Sequence, residues 1–216
     1  KGIHASMIII PEMFNKTQIT IDKIVRLIIS SMIKRRIVGQ KFGVVVVGEG
    51  IFHFLQDEDI ASSGITFDYD AHGHPELSEV SKAHVISKIL KNRLKELNLD
   101  IICRPVEVGY SLRCVDPSAF DLTYCTTLGI GVKKLYDEGH SGCMVAVNLE
   151  EEVIPVYLKD VEDEHGKIRT RLVNIDKEVV RQTLAENIYY LTAQDRSLAR
   201  KWLADPEPFE YERILG

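Results

Sequence analysis

Two four-residue apolar runs, Met7-Ile8-Ile9-Ile10 and Val44-Val45-Val46-Val47, flank a stretch of amphipathic sequence, and this arrangement limits the fold more than any other feature. A short run without polar alternation is the pattern of a strand covered on both faces, as in a parallel sheet between helix layers. The runs predict strands over 4–10 and 42–47. Between them Ile24, Leu27, Ile28, Ser31 and Met32 recur at three and four residues. Thr20 stands as N-cap, Asp22 in the first turn, Lys34-Arg35-Arg36 in the last and Gly39 just beyond. A helix of that length joins parallel strands by a right-handed crossover and covers one face of the sheet.

Gly64, Gly73 and Pro75, with the acidic cluster Asp57-Glu58-Asp59, predict a loop or lid over 50–77. Ser78 is the expected cap of a second helix, with Val85, Ile86, Ile89, Leu90, Leu94 and Leu97 on one stripe to about Asn98. Residues 99–108 predict a third strand, ending in Gly109-Tyr110-Ser111-Leu112-Arg113-Cys114-Val115. Asp116 as N-cap and Pro117 at the first helical position then open a third helix that buries Phe120, Tyr124, Thr127, Leu128, Gly131 and Leu135. Strands over 144–149 and 153–158 form an edge hairpin through Glu150-Glu151-Glu152, and a strand over 168–173 follows a charged turn at 162–167. Helices are expected over 176–189 and 195–204, with Pro206 and Pro208 loosening a tail at 196–216. The predicted fold is α/β: a single three-layer α/β/α domain over 1–216 with a mostly parallel sheet.

Composition sets the class of partner. At 216 residues and 45% apolar the chain fills a core, and its net charge of −5 offers no field for a nucleic-acid backbone or an anionic membrane. Apolar runs of four fall far short of the roughly 20 residues of a bilayer span. The opening Lys1-Gly2-Ile3-His4 carries no apolar signal region, so a cytoplasmic protein is expected, and the missing initiator Met suggests a chain that starts within a longer one. Cys103, Cys114, Cys125 and Cys143 are too widely spaced for a C-x-x-C pair and read as reduced thiols.

In open α/β sheets ligands bind beyond the carboxyl ends of strands. Arg113 is expected there, where its planar guanidinium can clamp a phosphate beside the ring and hydroxyl of Tyr110. Glu12, in Ile10-Pro11-Glu12, sits at the end of the first strand and can accept hydrogen bonds from sugar hydroxyls. Taken alone, Arg113 also reads as a surface arginine beside a turn, and Glu12 as an exposed loop glutamate. Asp116 at a helix start would repel an anion placed on that terminus, so Arg113 would have to do the holding. Asp68, Asp70, His72 and His74 offer metal-ligand types, and with them a metal-dependent hydrolase, although Gly73 leaves their geometry unfixed. Lys167, Arg169 and Arg171 alternate on one strand face, able to approach a phosphate or to offset the acidic turn.

Ile10-Pro11-Glu12, Gly48-Glu49-Gly50 after the four valines, and Gly109-Tyr110-x-x-Arg113-Cys114-x-x-Pro117-Ser118-x-Phe120-Asp121 together resemble the phosphofructokinases. Tyr110-x-x-Arg113-Cys114, Thr123-Tyr124-Cys125 and the run from Gly166 to Val173 look most like the pyrophosphate-dependent branch. The resemblance runs from about Ile8 to Asp195. It implies a phosphofructokinase-like substrate domain and phosphoryl transfer from pyrophosphate to the 1-hydroxyl of fructose 6-phosphate, with Mg²⁺, in cytoplasmic glycolysis, by a homo-oligomer. Glu12 would then bind the sugar hydroxyls, and Tyr110, Ser111, Leu112 and Arg113 the rest of fructose 6-phosphate, with Arg113 on its 6-phosphate. ATP-dependent relatives carry Arg after the helix Asp, where this chain has Leu122. The family's Gly-Gly-Asp donor loop, Thr-Ile-Asp-x-Asp catalytic segment and Met-Gly-Arg segment are absent, and Thr20-Ile21-Asp22 reads as helix capping. The expectation is the C-terminal, substrate-binding portion of a longer enzyme, with no catalytic residue of its own, no turnover alone, and Mg²⁺ and pyrophosphate held mainly by the other half. An ATP-dependent phosphofructokinase and a non-catalytic, sugar-phosphate-sensing subunit are the alternatives.

Overall fold

The computed structural model describes residues 5–14, 16–55, 81–148, 150–163, 166 and 172–216, with Glu49, His53, Tyr110 and Leu112 described by backbone alone. Among the described residues a strand, helix, strand unit comes first, helices and a hairpin follow, and helical turns end the chain; this mixture is compatible with an α/β protein, with one parallel and one antiparallel pair of strands. The chain divides into two compact units, one of residues 1–107 with 172–216 and one of residues 108–171.

In the first unit β1 (Met7–Ile9) pairs in parallel with β2 (Val45–Val47), in the register Met7 to Val45 and Ile9 to Val47. The crossover is α1 (Ile21–Ile37), capped by Thr20, whose side chain accepts from Lys23 N at 3.2 Å. Gly39 leaves the helix at φ 81°, a conformation that glycine reaches without a Cβ clash. The amphipathic stripe predicts one buried face, but Val25, Ile29, Ser30 and Ile33 are buried as well, so α1 is a core helix. Its serines meet the returning chain: Ser30 Oγ accepts from Leu191 N at 2.8 Å and Ser31 Oγ donates to Ile188 O at 3.0 Å. Lys34 pairs with Asp195 at 2.5 Å, and Arg36 donates to Asp100 O at 3.1 Å.

Three expectations in this unit are corrected. The loop expected from residue 50 begins with 3₁₀ turns over Glu49–Phe54 that bury Ile51, Phe52 and Leu55. Asp57-Glu58-Asp59 lie outside the described residues, as does Ser78. The second helix, α2 (Lys82–Glu96), takes Ser81 as its N-cap and buries Val85, Ile86, Leu90 and Leu94 from the predicted stripe. The third predicted strand, 99–108, forms no regular secondary structure and pairs with no strand among the described residues. Leu99, Ile101 and Cys103 turn toward the core while Ile102, Arg104 and Val106 are exposed, so period-two burial occurs without a ladder.

In the second unit a short helix, α3 (Gly109–Arg113), precedes α4 (Ala119–Asp137). The hairpin is β3 (Cys143–Val147) with β4 (Val153–Tyr157), antiparallel as the sequence predicts, with Cys143 opposite Tyr157 and Val147 opposite Val153. Asn148 closes its turn, its Oδ1 accepting from Glu150 N at 3.0 Å and Glu152 N at 2.8 Å. α4 packs on the hairpin through Gly131 and Leu135. Phe120 and Tyr124, predicted to be buried, are exposed and stack on each other at 5.8 Å. A four-residue helix, α5 (Leu158–Val161), ends the described continuous stretch.

Residues 168–171 of the predicted last strand lie outside the described residues, and Leu172–Val173 are not in a strand. The helix expected over 176–189 is α6 (Glu178–Gln182) followed by a π-helical turn, Thr183–Asn187. That over 195–204 shortens to α7 (Arg196–Ala199), entered through a Thr192–Asp195 capping box. The tail is not loose: Leu203, Phe209, Ile214 and Leu215 are buried, the last two in α8 (Tyr211–Leu215). Arg196 forks onto the buried Glu210, which explains why a proline-punctuated segment stays packed.

Candidate functional site

Both parallel strands end at one edge. Beyond β1, Ile10 is extended and Pro11–Met13 form a 3₁₀ turn, a position that suits the fixed φ of proline. Gly48 N donates to Ile9 O at 2.8 Å, and a Cβ on Gly48 would stand 3.5 Å from that oxygen. The turn after β2 therefore abuts the turn that carries Glu12. Met13 and Phe14 are buried, and Val173 N donates to the Glu12 carbonyl at 3.0 Å. Anchored on both sides, Glu12 stands half-buried at the carboxyl end of β1, where the sequence places it.

Arg113 is the exposed last residue of α3, with Ser111 exposed on the same helix; the side chains of Tyr110 and Leu112 lie outside the described residues. Glu12 belongs to the first unit, and Tyr110 to Arg113 to the second. The loop after Arg113 enters α4 differently from the prediction. Asp116 and Pro117 precede the helix, and the N-cap is Ser118. Its Oγ accepts from Asp121 N at 3.3 Å, while its N–H and O–H donate to Asp121 Oδ2 at 2.8 and 2.7 Å. The Ser118 hydroxyl and then its amide hold the Asp121 carboxyl below its ordinary value. A terminus so capped already has its own anion, which leaves the guanidinium of Arg113 as the candidate phosphate holder.

Ser118-x-x-Asp121 is the residue pair that the sequence reasoning missed. The box pattern stands in the sequence, but Asp116-Pro117 gives a competing start signal two residues earlier. A cleft of about 320 Å³ beside α2, lined by Ser81, His84, Ser87, Lys91 and Pro105 among others, contains none of the predicted site residues.

Among the described residues no group of three or more His, Cys, Asp or Glu side chains could hold a metal ion. Asp68, Asp70, His72 and His74 lie outside them, as do Lys167, Arg169 and Arg171. Among the described residues no helix is long and apolar enough to cross a membrane. All four cysteines are free; burial raises the pKa of Cys103, opposed by Lys91.

No family profile matches the chain. Individual proteins do. The pyrophosphate–fructose 6-phosphate 1-phosphotransferase of Naegleria fowleri is 30% identical over 187 residues, covering 82% of this chain and 43% of its own length. The enzyme of the same name from Thermotoga maritima is 29% identical over 212 residues, covering 96% of this chain and 48% of its own. The subunit beta 2 of that enzyme from Arabidopsis thaliana is 21% identical over 77% of this chain. The chain thus spans about half the length of the curated relatives it matches.

Proposed function

From its membership of the phosphofructokinase family, we propose that this chain is the fructose 6-phosphate-binding, C-terminal portion of a pyrophosphate-dependent 6-phosphofructokinase. The observation that carries this reading is similarity to such enzymes over most of the chain. In this reading its α/β framework is part of a three-layer, mostly parallel phosphofructokinase fold, in a cytoplasmic, glycolytic homo-oligomer.

The reaction transfers a phosphoryl group between oxygens. The 1-hydroxyl of fructose 6-phosphate attacks one phosphorus of pyrophosphate, a new P–O bond forms, the bridging P–O bond breaks, and phosphate leaves. The hydroxyl proton passes to a base in the other half of the enzyme. Catalysis of this kind is mainly positioning and charge neutralisation. Glu12 accepts hydrogen bonds from the sugar hydroxyls, and Arg113 clamps the 6-phosphate, aided by Tyr110, Ser111 and Leu112. Mg²⁺ would neutralise phosphate charge in such a reaction, and in this reading it is held mainly by the other half of the enzyme.

Arg113→Ala in the full-length enzyme removes a charge-assisted hydrogen bond, about 1.5–3 kcal/mol, which corresponds to a rise of roughly 10- to 100-fold in KM for fructose 6-phosphate. Steady-state kinetics with each substrate varied in turn make the test, and an unchanged KM removes Arg113 from the site. Glu12→Ala is expected to weaken fructose 6-phosphate and leave pyrophosphate nearly unaffected; equal losses for both would contradict its role.

A further inference from the structure

The cleft beside α2, about 320 Å³, falls in the size range of small-molecule sites and lies within the first unit. Its main wall is one face of the helix. At 3.6 residues per turn Ser81, His84, Ser87, Lys88 and Lys91 stand within about 120° of one another, along roughly 15 Å of axis. Val85 and Pro105 add apolar surface. The first turn of α2 carries no acidic residue and opens on Lys82, whereas α1 has Asp22 and α4 has Asp121 in the first turn, where a carboxylate complements the helix dipole. Lys82, Lys88, Lys91, Arg93 and Lys95 stand against Glu96 alone in this helix, in a chain of net charge −5. Ser87 is 8% exposed, and its Oγ makes no hydrogen bond among the described residues. Helical hydroxyls ordinarily donate to the carbonyl four residues earlier, as Thr123, Thr126 and Thr127 do in α4. A buried hydroxyl without a partner is costly, and a ligand oxygen at the cleft wall removes that cost. Ser81 Oγ accepts from His84 N at 3.4 Å and lies 2.6 Å from His84 Nδ1. Its own proton is thereby directed at Nδ1, so the neutral ring carries its proton on Nε2, as a donor on the far side from Ser81.

We propose that this cleft binds a small organic anion. Its charged head, a phosphate or a carboxylate, is held by Lys88, Lys91, the Nε2–H of His84 and the Ser87 hydroxyl, and its apolar body lies against Val85 and Pro105. The two ammonium groups supply attraction, and the neutral donors fix the orientation of the head. Every residue used lies between 81 and 105, so the inference does not depend on the assignment of Glu12 or Arg113.

Phenyl phosphate and benzoate serve as probes, one for each head, with inorganic phosphate as a head without a body. In the full-length protein, hydrogen exchange read by mass spectrometry is expected to slow in peptides from 81–105 when one of the two probes is added at millimolar concentration. No slowing with either overturns the inference, and so does equal slowing by inorganic phosphate, because the apolar body would then contribute nothing. Lys91→Ala is expected to weaken the effective probe about tenfold, the loss of one charge-assisted contact; unchanged affinity counts against the site. Ser87→Ala separates a ligand donor from a structural hydroxyl. Since it removes no hydrogen bond within the protein, it is expected to leave the thermal midpoint unchanged or raised and to weaken the probe several-fold. A lowered midpoint with unchanged affinity would show that the hydroxyl serves the fold alone, and would overturn the proposal. Protection confined to peptides carrying Glu12 or Arg113 would sink this inference and leave the functional reading standing.

Discussion

Gly131 touches the hairpin so closely that an ideal Cβ there would stand 2.7 Å from Val145 Cγ2 and 2.8 Å from Val153 Cγ1. Alanine would gain up to about 1 kcal/mol of helix propensity. It would lose about 1–3 kcal/mol to overpacking, because both contacts are branched side chains held in a ladder. The clash wins, and Gly131→Ala is expected to lower stability by roughly 1–2 kcal/mol, read as a lower denaturation midpoint; an unchanged midpoint would mean that the hairpin yields. Lys34 makes a second case. Its side chain is 17% exposed and that of Asp195 10%, so the pair is largely removed from water. Lys34→Ala leaves a carboxylate held only by Thr192 N and Oγ, each at 2.9 Å. Its expected cost is about 2–3 kcal/mol, below the roughly 3–5 of a fully buried pair, and a loss near zero in urea denaturation would mean that water takes the place of the lysine. The sequence marks Lys34 as a favourable helix-end charge; its partner 161 residues away is set by the return of the chain.

Among the elements, α4 depends on its first turn. Ser118→Ala removes the N-cap and is expected to cost about 1 kcal/mol, seen as fraying of residues 119–122 in amide chemical shifts. The acid response has a definite sign. Because the folded Asp121 carboxyl is held below its ordinary 3.8, its contribution is full above that value. It fades as pH falls from there through the depressed value. First-turn amide signals of α4 are therefore expected to keep their helical shifts at pH 5 and to move toward coil only on the acid side of about pH 4, while Asp121→Asn abolishes the titration. A titration centred near neutrality would exclude the carboxyl as its source. The helix itself was legible from its apolar spacing and glycine-flanked end, since local hydrogen bonding and burial agree there. Its buried face was not, because periodicity reports which residues are apolar and leaves open which neighbour reaches them.

For the molecule as a whole, the prediction is an incomplete enzyme. Incubated with pyrophosphate, fructose 6-phosphate and Mg²⁺, this chain alone is expected to form no fructose bisphosphate, whereas the full-length protein turns over; product from the isolated chain would contradict the division of labour between halves. The sequence by itself determined the first crossover, β1 to α1 to β2, and the hairpin, because runs of adjacent apolar residues and a capped helix are local facts. It also carries the order of motifs that resembles the phosphofructokinases, and it placed Glu12 at a strand end. Tertiary structure decided that residues 99–108 pair with no strand among the described residues, that the C-terminal segment wraps α1 and stays packed, and that Ser118 starts α4 in place of Asp116. Each of these turns on partners far apart in the chain, and such partners leave no period or spacing to read in advance.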